Sequence, residues 1–283
     1  MLKNVVFNGG SMPALGMGTW FLGEGRRPMD EEADAICAGI DAGLRLIDTA
    51  EMYGDGGAER MVGRVLQRRS RDGLCIVSKV YPHNAGRNQI FRACERSLSR
   101  MGTDHIDIYL LHWRGSVPLQ ETVDCMEDLV RQGKILRWGV SNFDLEDMQE
   151  LFSCASGANC AVNQDLYHLG SRGIDYVLRP WQEEHGVATM AYCPLAQAGR
   201  LRSGLIKNAV VREVAQEEGL TPMQVLLGFT LAQDRMVSIP RTGSAEHMLL
   251  NAAMAEHPLS EESLSRLNAA FPAPTRRVGL DMQ

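Results

Sequence analysis

Short apolar, β-branched runs recur along the chain, separated by stretches with helical spacing. They read LGMGTW (15–20), LRLID (44–48), LCIVSK (74–79), IDIYLLH (106–112), ILRWGV (135–140), CAVNQ (160–164), VATMAY (187–192) and MVSIP (236–240). Successive runs start 29, 30, 32, 29, 25, 27 and 49 residues apart. Between them, apolar residues three and four apart predict helices over Glu31–Ala42, Gly57–Arg68, Asn88–Met101, Leu119–Gln132 and Leu145–Cys154. Gly43, Gly73, Gly102, Gly133 and Gly186 stand where such helices end. Eight strands alternating with helices predict an α/β protein, a (β/α)8 barrel. A doubly wound open sheet is the competitor. To bind a dinucleotide it needs a glycine-rich turn after its first strand, and here Phe21 stands at the third glycine position of Gly16-x-Gly18.

Ahead of the first barrel strand, Asn8-Gly9-Gly10 lies between Val5-Val6-Phe7 and Met12-Pro13-Ala14 and reads as a hairpin turn. Such a hairpin would cap the N-terminal mouth of the barrel. The long seventh gap predicts an arginine-rich loop over Gln197–Lys207, then helices near Val210–Glu218 and Pro222–Gln233. Long loops on a compact barrel are usually functional. Ser260–Phe271 reads as a further helix. No linker or low-complexity stretch interrupts residues 1–283, so a single domain is expected.

Composition narrows the class. The net charge of −6 and the absence of a Lys/Arg run argue against nucleic-acid or anionic-membrane partners. No stretch of 18 apolar residues predicts a transmembrane helix, and Val5-Val6-Phe7 is too short for a signal-peptide core. Seven scattered cysteines without C-x-x-C suit reduced thiols in a cytoplasmic protein.

Barrel active sites lie at the C-terminal ends of the strands. On three adjacent strands those ends carry Asp48 with Tyr53 in its loop, Lys79, and His112 with Trp113. Lys79 closes an apolar strand, and a buried lysine needs a partner. Asp48 is available. An ammonium beside Tyr53 is expected to lower the phenol's pKa and make it a proton donor to an oxygen becoming negative. His112 can hold the same oxygen. Each residue alone has a plain structural reading: an ion pair, a packed aromatic, a core histidine. Glu51 reads as a solvated loop carboxylate, and Ser141-Asn142 as a helix N-cap pair before Asp144. There is no G-x-S-x-G elbow, no paired-carboxylate arrangement and no convincing metal set. Carbonyl reduction remains, with the hydride coming from a cofactor.

Longer motifs give the family. GMGTW (16–20), GLRLIDTAEMYGDGGAERMVG (43–63), SKVYP (78–82), DIYLLHW (107–113), GKILRWGVSNF (133–143), NQ (163–164), AYCPLAQAG (191–199) and IPRTGS (239–244) resemble the aldo-keto reductases over nearly the whole chain. EMYGDGGAE and YCPLAQAGRL look most like the bacterial branch that reduces methylglyoxal and other small aldehydes. The resemblance implies a catalytic tetrad of Asp48, Tyr53, Lys79 and His112 and an extended NADPH without a metal. Ser141, Asn142 and Gln164 would hold its carboxamide and Tyr192 would stack on the nicotinamide. Leu195 and the loop to Lys207 would cover the pyrophosphate, with Arg200, Arg202 and Lys207 as lesser phosphate candidates. Arg241, Thr242 and Asn251 would surround the adenosine ribose phosphate and adenine, with Arg241 as the phosphate fork. Thr19 and Trp20 would border the pocket, and Trp20, Tyr81 and Trp113 would wall the substrate. His247 stands where the family often has Arg, and an imidazole carries at most partial charge near neutrality. After Phe271 only twelve residues remain, which implies an open pocket. A monomer or weak oligomer is expected. The competing readings are a non-catalytic cofactor-binding subunit and a metal-dependent barrel hydrolase.

Overall fold

The computed structural model describes residues 3–283, so residues 1 and 2 of the expected domain lie outside it. β1 (Asn4–Phe7) and β2 (Gly10–Pro13) form an antiparallel hairpin. Eight parallel strands follow: β3 (Gly16–Gly18), β4 (Leu46–Asp48), β5 (Cys75–Val80), β6 (Ile106–Leu111), β7 (Ile135–Ser141), β8 (Val162–Leu166), β9 (Ala188–Tyr192) and β10 (Met236–Ser238). They lie in chain order, and bridges Leu15↔Ser238 and Gly18↔Arg241 bring the last strand to the first. Gly18 is required at this seam, because a Cβ there would lie 2.8 Å from the Ile239 carbonyl oxygen.

Around the sheet run α1 (Met29–Asp41), α2 (Gly57–Leu66), α3 (Ile90–Met101), α4 (Leu119–Arg131), α5 (Leu145–Ser153), α6 (Leu178–Glu184), α7 (Arg200–Lys207), α8 (Ala209–Glu217), α9 (Pro222–Leu231), α10 (Ala245–Ala253) and α11 (Glu261–Ala270). The five helices expected from periodicity are present to within two residues at either end. All five punctuating glycines have positive φ, although Gly73 lies well past the end of α2.

Side chains alternate across each strand, one set inward and the next toward the helices. Inward-facing Leu46, Val77, Ile108, Leu110, Val162, Ala188, Met190 and Val237 form one apolar cluster with Val5, Phe7, Met12 and Ala14 of the hairpin segment. Asn8 N–H donates to the carbonyl of Gly186, just before β9, at 2.9 Å. The hairpin therefore fills the N-terminal end of the barrel, as its sequence predicts. Outward-facing Ile47, Ile76, Tyr109 and Leu111 pack with the helices, for example Ile36, Met61 and Val65.

The long seventh gap differs from its sequence reading. Arg200–Lys207 is helical, not a loop, and only Leu205 of it is buried. A helix with so small an apolar contact leaves little periodic signal. Two further departures are α6 and α10, whose bounds the sequence does not announce; α6 is short and carries Pro180 in its first turn.

Candidate active site

The same alternation that fills the barrel base delivers polar side chains at its mouth. Asp48 is two residues beyond Leu46, Lys79 two beyond Val77, His112 two beyond Leu110 and Gln164 two beyond Val162. All four are buried. Lys79 Nζ donates to Asp48 Oδ1 and Oδ2 at 2.7 and 2.9 Å, to the Thr49 carbonyl at 2.8 Å and to Tyr53 OH at 3.1 Å. Gln164 Nε2 donates to Asp48 Oδ1 at 2.7 Å. A buried charge this well surrounded is held in one geometry, and removing a partner would leave an uncompensated ion.

Tyr53 sits on the turn between β4 and α2, where left-handed Gly54, Asp55 and Gly56 reverse the chain. Its ring stands edge-on to His112, centroids 5.7 Å apart at 77°. Burial, and then the Asp48 carboxylate, push the Tyr53 pKa well above its ordinary value. This overturns the expected lowering. Lys79 spends its charge on both oxygens of Asp48, so little positive field remains to offset the phenol's desolvation. Burial also pulls Lys79 below its ordinary value, against the attraction of Asp48. Burial, then the Lys79 charge, hold His112 well below its usual range, so its imidazole is neutral at pH 7. Its Nδ1 is buried without a partner.

Asp48, Tyr53 and His112 line a cleft of about 650 Å³ across the barrel mouth, while Lys79 lies behind them, fully buried and off its wall. Next to the tetrad its wall includes Trp20, Met52, Trp113 and Tyr192. Ser141 Oγ donates to the Gln164 carbonyl at 2.8 Å. Asn142, in a left-handed conformation, accepts from Tyr192 OH at 2.8 Å and donates to the His112 carbonyl at 3.2 Å. The N-cap of α5 is Asp144, in a capping box with Asp147, so Ser141 and Asn142 do not cap the helix and instead line the cleft. At the far end stand Leu195, Arg202, Arg241, Thr242, His247 and Asn251. Arg202 Nε donates to the carbonyls of Leu195 and Ala196 at 2.9 and 3.1 Å, fixing the segment that precedes α7.

The model of the aldo/keto reductase family matches residues 14–271. The chain belongs to this family. It is 51% identical over 281 residues to methylglyoxal reductase YeaE of Escherichia coli, covering 99% of each chain. It is 32% identical to a glyoxal reductase of Bacillus subtilis over 272 residues, 95% of this chain and 93% of that one. Its fold matches an aldo-keto reductase of Klebsiella pneumoniae in complex with NADPH at a TM-score of 0.95, with 50% identity and full coverage of both chains.

Most residues expected in this reductase-family site line the cleft, but several do not. Thr19 lies behind the wall, its hydroxyl donating to the Asp48 carbonyl at 2.9 Å. Tyr81 is off the wall and meets Trp113 edge-on at 5.8 Å. Arg200 and Lys207 are exposed and also off it. Glu51 is not solvated but buried: Oε1 accepts from Tyr81 N–H at 2.9 Å and Asn84 Nδ2 at 3.0 Å, tying the turn after β4 to the one after β5. Both partners lie some thirty residues away in the chain, so nothing local reports them. The tail after α11 also does more than its length suggests. Arg277 pairs with Glu146, Asp281 accepts from Ser171, and Gln283 reaches the cleft, where its Oε1 accepts from Cys193 Sγ at 3.3 Å. Phe21, Met52 and Cys193 are cleft residues that the sequence did not reveal.

Among the described residues no group of three His, Cys, Asp or Glu is gathered as a metal site. Nor is any helix long and apolar enough to cross a membrane.

Proposed function

We propose that this chain reduces small aldehydes and 2-oxoaldehydes such as methylglyoxal to alcohols with NADPH, using Asp48, Tyr53, Lys79 and His112. The reading is carried by the 3.1 Å hydrogen bond from Lys79 Nζ to Tyr53 OH on the wall of a cleft at the strand ends. The relatives named for methylglyoxal and glyoxal support the substrate class, and the NADPH bound to the Klebsiella protein supports the cofactor. The cleft suits such a ligand, with its one wall carboxylate already paired at the tetrad and two arginines at the far end.

When bound, NADPH supplies the hydride for the carbonyl carbon. Tyr53 gives its phenolic proton to the carbonyl oxygen as that oxygen becomes negative. Burial keeps the proton on Tyr53 until then. Lys79 steadies the phenolate left behind, and Asp48 holds Lys79 in reach. Neutral His112 donates a hydrogen bond to the same oxygen and orients it. Trp20 and Trp113, with Tyr81 behind, wall the substrate. Ser141, Asn142 and the side-chain oxygen Oε1 of Gln164 would hold the carboxamide; Gln164 Nε2 is already engaged by Asp48. Tyr192, steadied by Asn142, would stack on the nicotinamide. Leu195 would cover the pyrophosphate, and Arg241, Thr242 and Asn251 would surround the adenosine. All four tetrad side chains are in contact range, which favours catalysis over a cofactor-binding subunit without turnover. One barrel supplies all the residues that line the cleft, which supports a single-domain reading. Seven free thiols support a reducing, cytoplasmic setting.

The test is NADPH oxidation with methylglyoxal, for the native chain and Tyr53→Phe. Turnover is expected to fall about 10²- to 10⁴-fold while NADPH binding is kept. Retained turnover would refute the assignment of Tyr53.

A further inference from the structure

The far end of the cleft carries more positive charge than its own wall supplies. Asp48 is the one carboxylate side chain on that wall among the described residues, and Lys79 already pairs with it. Arg241 makes no ion pair with any described residue. Its guanidinium carbon lies 5.5 Å from the Phe21 ring centroid. Arg26, from the loop between β3 and α1, approaches the same centroid at 4.4 Å. Arg26 pairs only with Glu24 of its own loop, at 3.4 Å, and both groups are partly exposed.

That loop is built rather than slack. Gly23 N–H donates to the buried Glu32 Oε2 at 2.7 Å. Gly23 has φ +72°, and a Cβ there would lie 2.3 Å from the Gly57 backbone, so the loop is seated against the start of α2. Arg27 Nη1 donates to the Gly243 carbonyl at 3.4 Å, linking the loop to the segment that follows Arg241. Phe21 has φ +67°, a rare conformation for a bulky side chain. Strain of this kind persists where surrounding structure enforces it, and it clusters at ligand sites. Here it brings the ring within reach of two guanidinium groups and stacks it on Trp20, centroids 4.5 Å apart.

We propose that Arg26 joins Arg241, which the family resemblance already sets at the ribose phosphate of the nucleotide, as the second arm of a clamp beside Phe21 on that phosphate monoester, so that Arg26 helps this chain select NADPH over NADH. The inference rests on the cofactor reading above. A phosphate monoester carries close to two negative charges at neutral pH, more than either phosphate of a dinucleotide's pyrophosphate. Two guanidinium groups without a strong carboxylate partner match that charge, and the arginine fork suits phosphate geometry. Arg202 is occupied by backbone carbonyls and serves the covering segment instead. Burial, followed by the charges of Arg26 and Arg202, lowers the Arg241 pKa against the opposing pull of Glu32 and Glu24. An arm from the β3–α1 loop would also offset the weaker charge of His247.

Quenching of intrinsic tryptophan fluorescence gives dissociation constants for NADPH and NADH without turnover. Wild type is expected to prefer NADPH. Arg26→Ala should weaken NADPH about tenfold and leave NADH within about twofold, with Arg26→Lys between wild type and alanine. Combined with Arg241→Ala, its effect on NADPH should depart from additivity, because both arms meet one ligand group. Equal weakening of NADPH and NADH, or no effect of Arg26→Ala in a wild type that prefers NADPH, overturns the clamp alone. A wild type that does not distinguish the two cofactors overturns the clamp together with the cofactor reading.

Discussion

The two ends of the cleft handle charge in opposite ways. At the tetrad, Lys79 and Asp48 are both buried and satisfy one another. That end is rigid and electrically closed before anything binds, which suits a neutral carbonyl whose charge appears only during reaction. At the other end Arg26 and Arg241 both approach Phe21; Arg26 pairs with Glu24, and Arg241 forms no ion pair with a described residue, although Glu32 and Glu24 lie within its field. That end is open and awaits an anion. Strands carry the first arrangement and loops the second. Preorganised chemistry and adjustable recognition are thereby separated along one groove.

The harshest way to break the contrast is Lys79→Met. It should cut turnover about 10²- to 10⁴-fold and lower thermal stability, since Asp48 is left buried without its cation. Full turnover would mean that Tyr53 needs no ammonium beside it. Salt should act at the other end only. Raising ionic strength from about 0.05 to about 0.5 M is expected to raise the KM for NADPH several-fold, because screening shortens from over 10 Å to a few Å, with kcat nearly unchanged. Arg241→Ala should flatten that dependence; an equal salt response in kcat would show that the ends are not independent. The smallest effect concerns a second carboxyl behind the tetrad. Asp165 follows Gln164 but faces outward, where burial pushes its pKa up to about 8, and Oδ1 has no partner. The folded chain thus keeps a proton that the unfolded chain releases above pH ~4. Stability falls as pH rises from there to about 8 and then levels off. Asp165→Asn should remove that slope and raise the melting temperature at pH 9 by a few degrees, with little change at pH 4. Thermal scans at both pH values provide the check.

The sequence makes the tetrad end easier to read than the phosphate end, and the reason is physical. A strand repeats every two residues, so an apolar run ending in Asp48, Lys79 or Gln164 announces both its own inward face and the polar group that tops it. Helices α1 to α5 carry broad apolar stripes and were legible for the same reason. α7 buries only Leu205, and α6 is a short helix with a proline inside. Loop residues have no period at all. Phe21 owes its position to a left-handed backbone and two distant arginines, and Glu51 owes its burial to Tyr81 and Asn84. The Tyr53 proton affinity is not legible in the sequence, because proximity to Lys79 is local whereas desolvation depends on the whole surrounding shell.

The N-terminal hairpin has a kinetic meaning as well as a packing one. With Val5, Phe7 and Met12 stoppering the base, ligands reach the barrel only from the cleft side. A group seated beneath another there would have to arrive first and depart last, a queue reversed at the exit. Its pace at saturation can then be governed by how readily the anion-gripping loops let go.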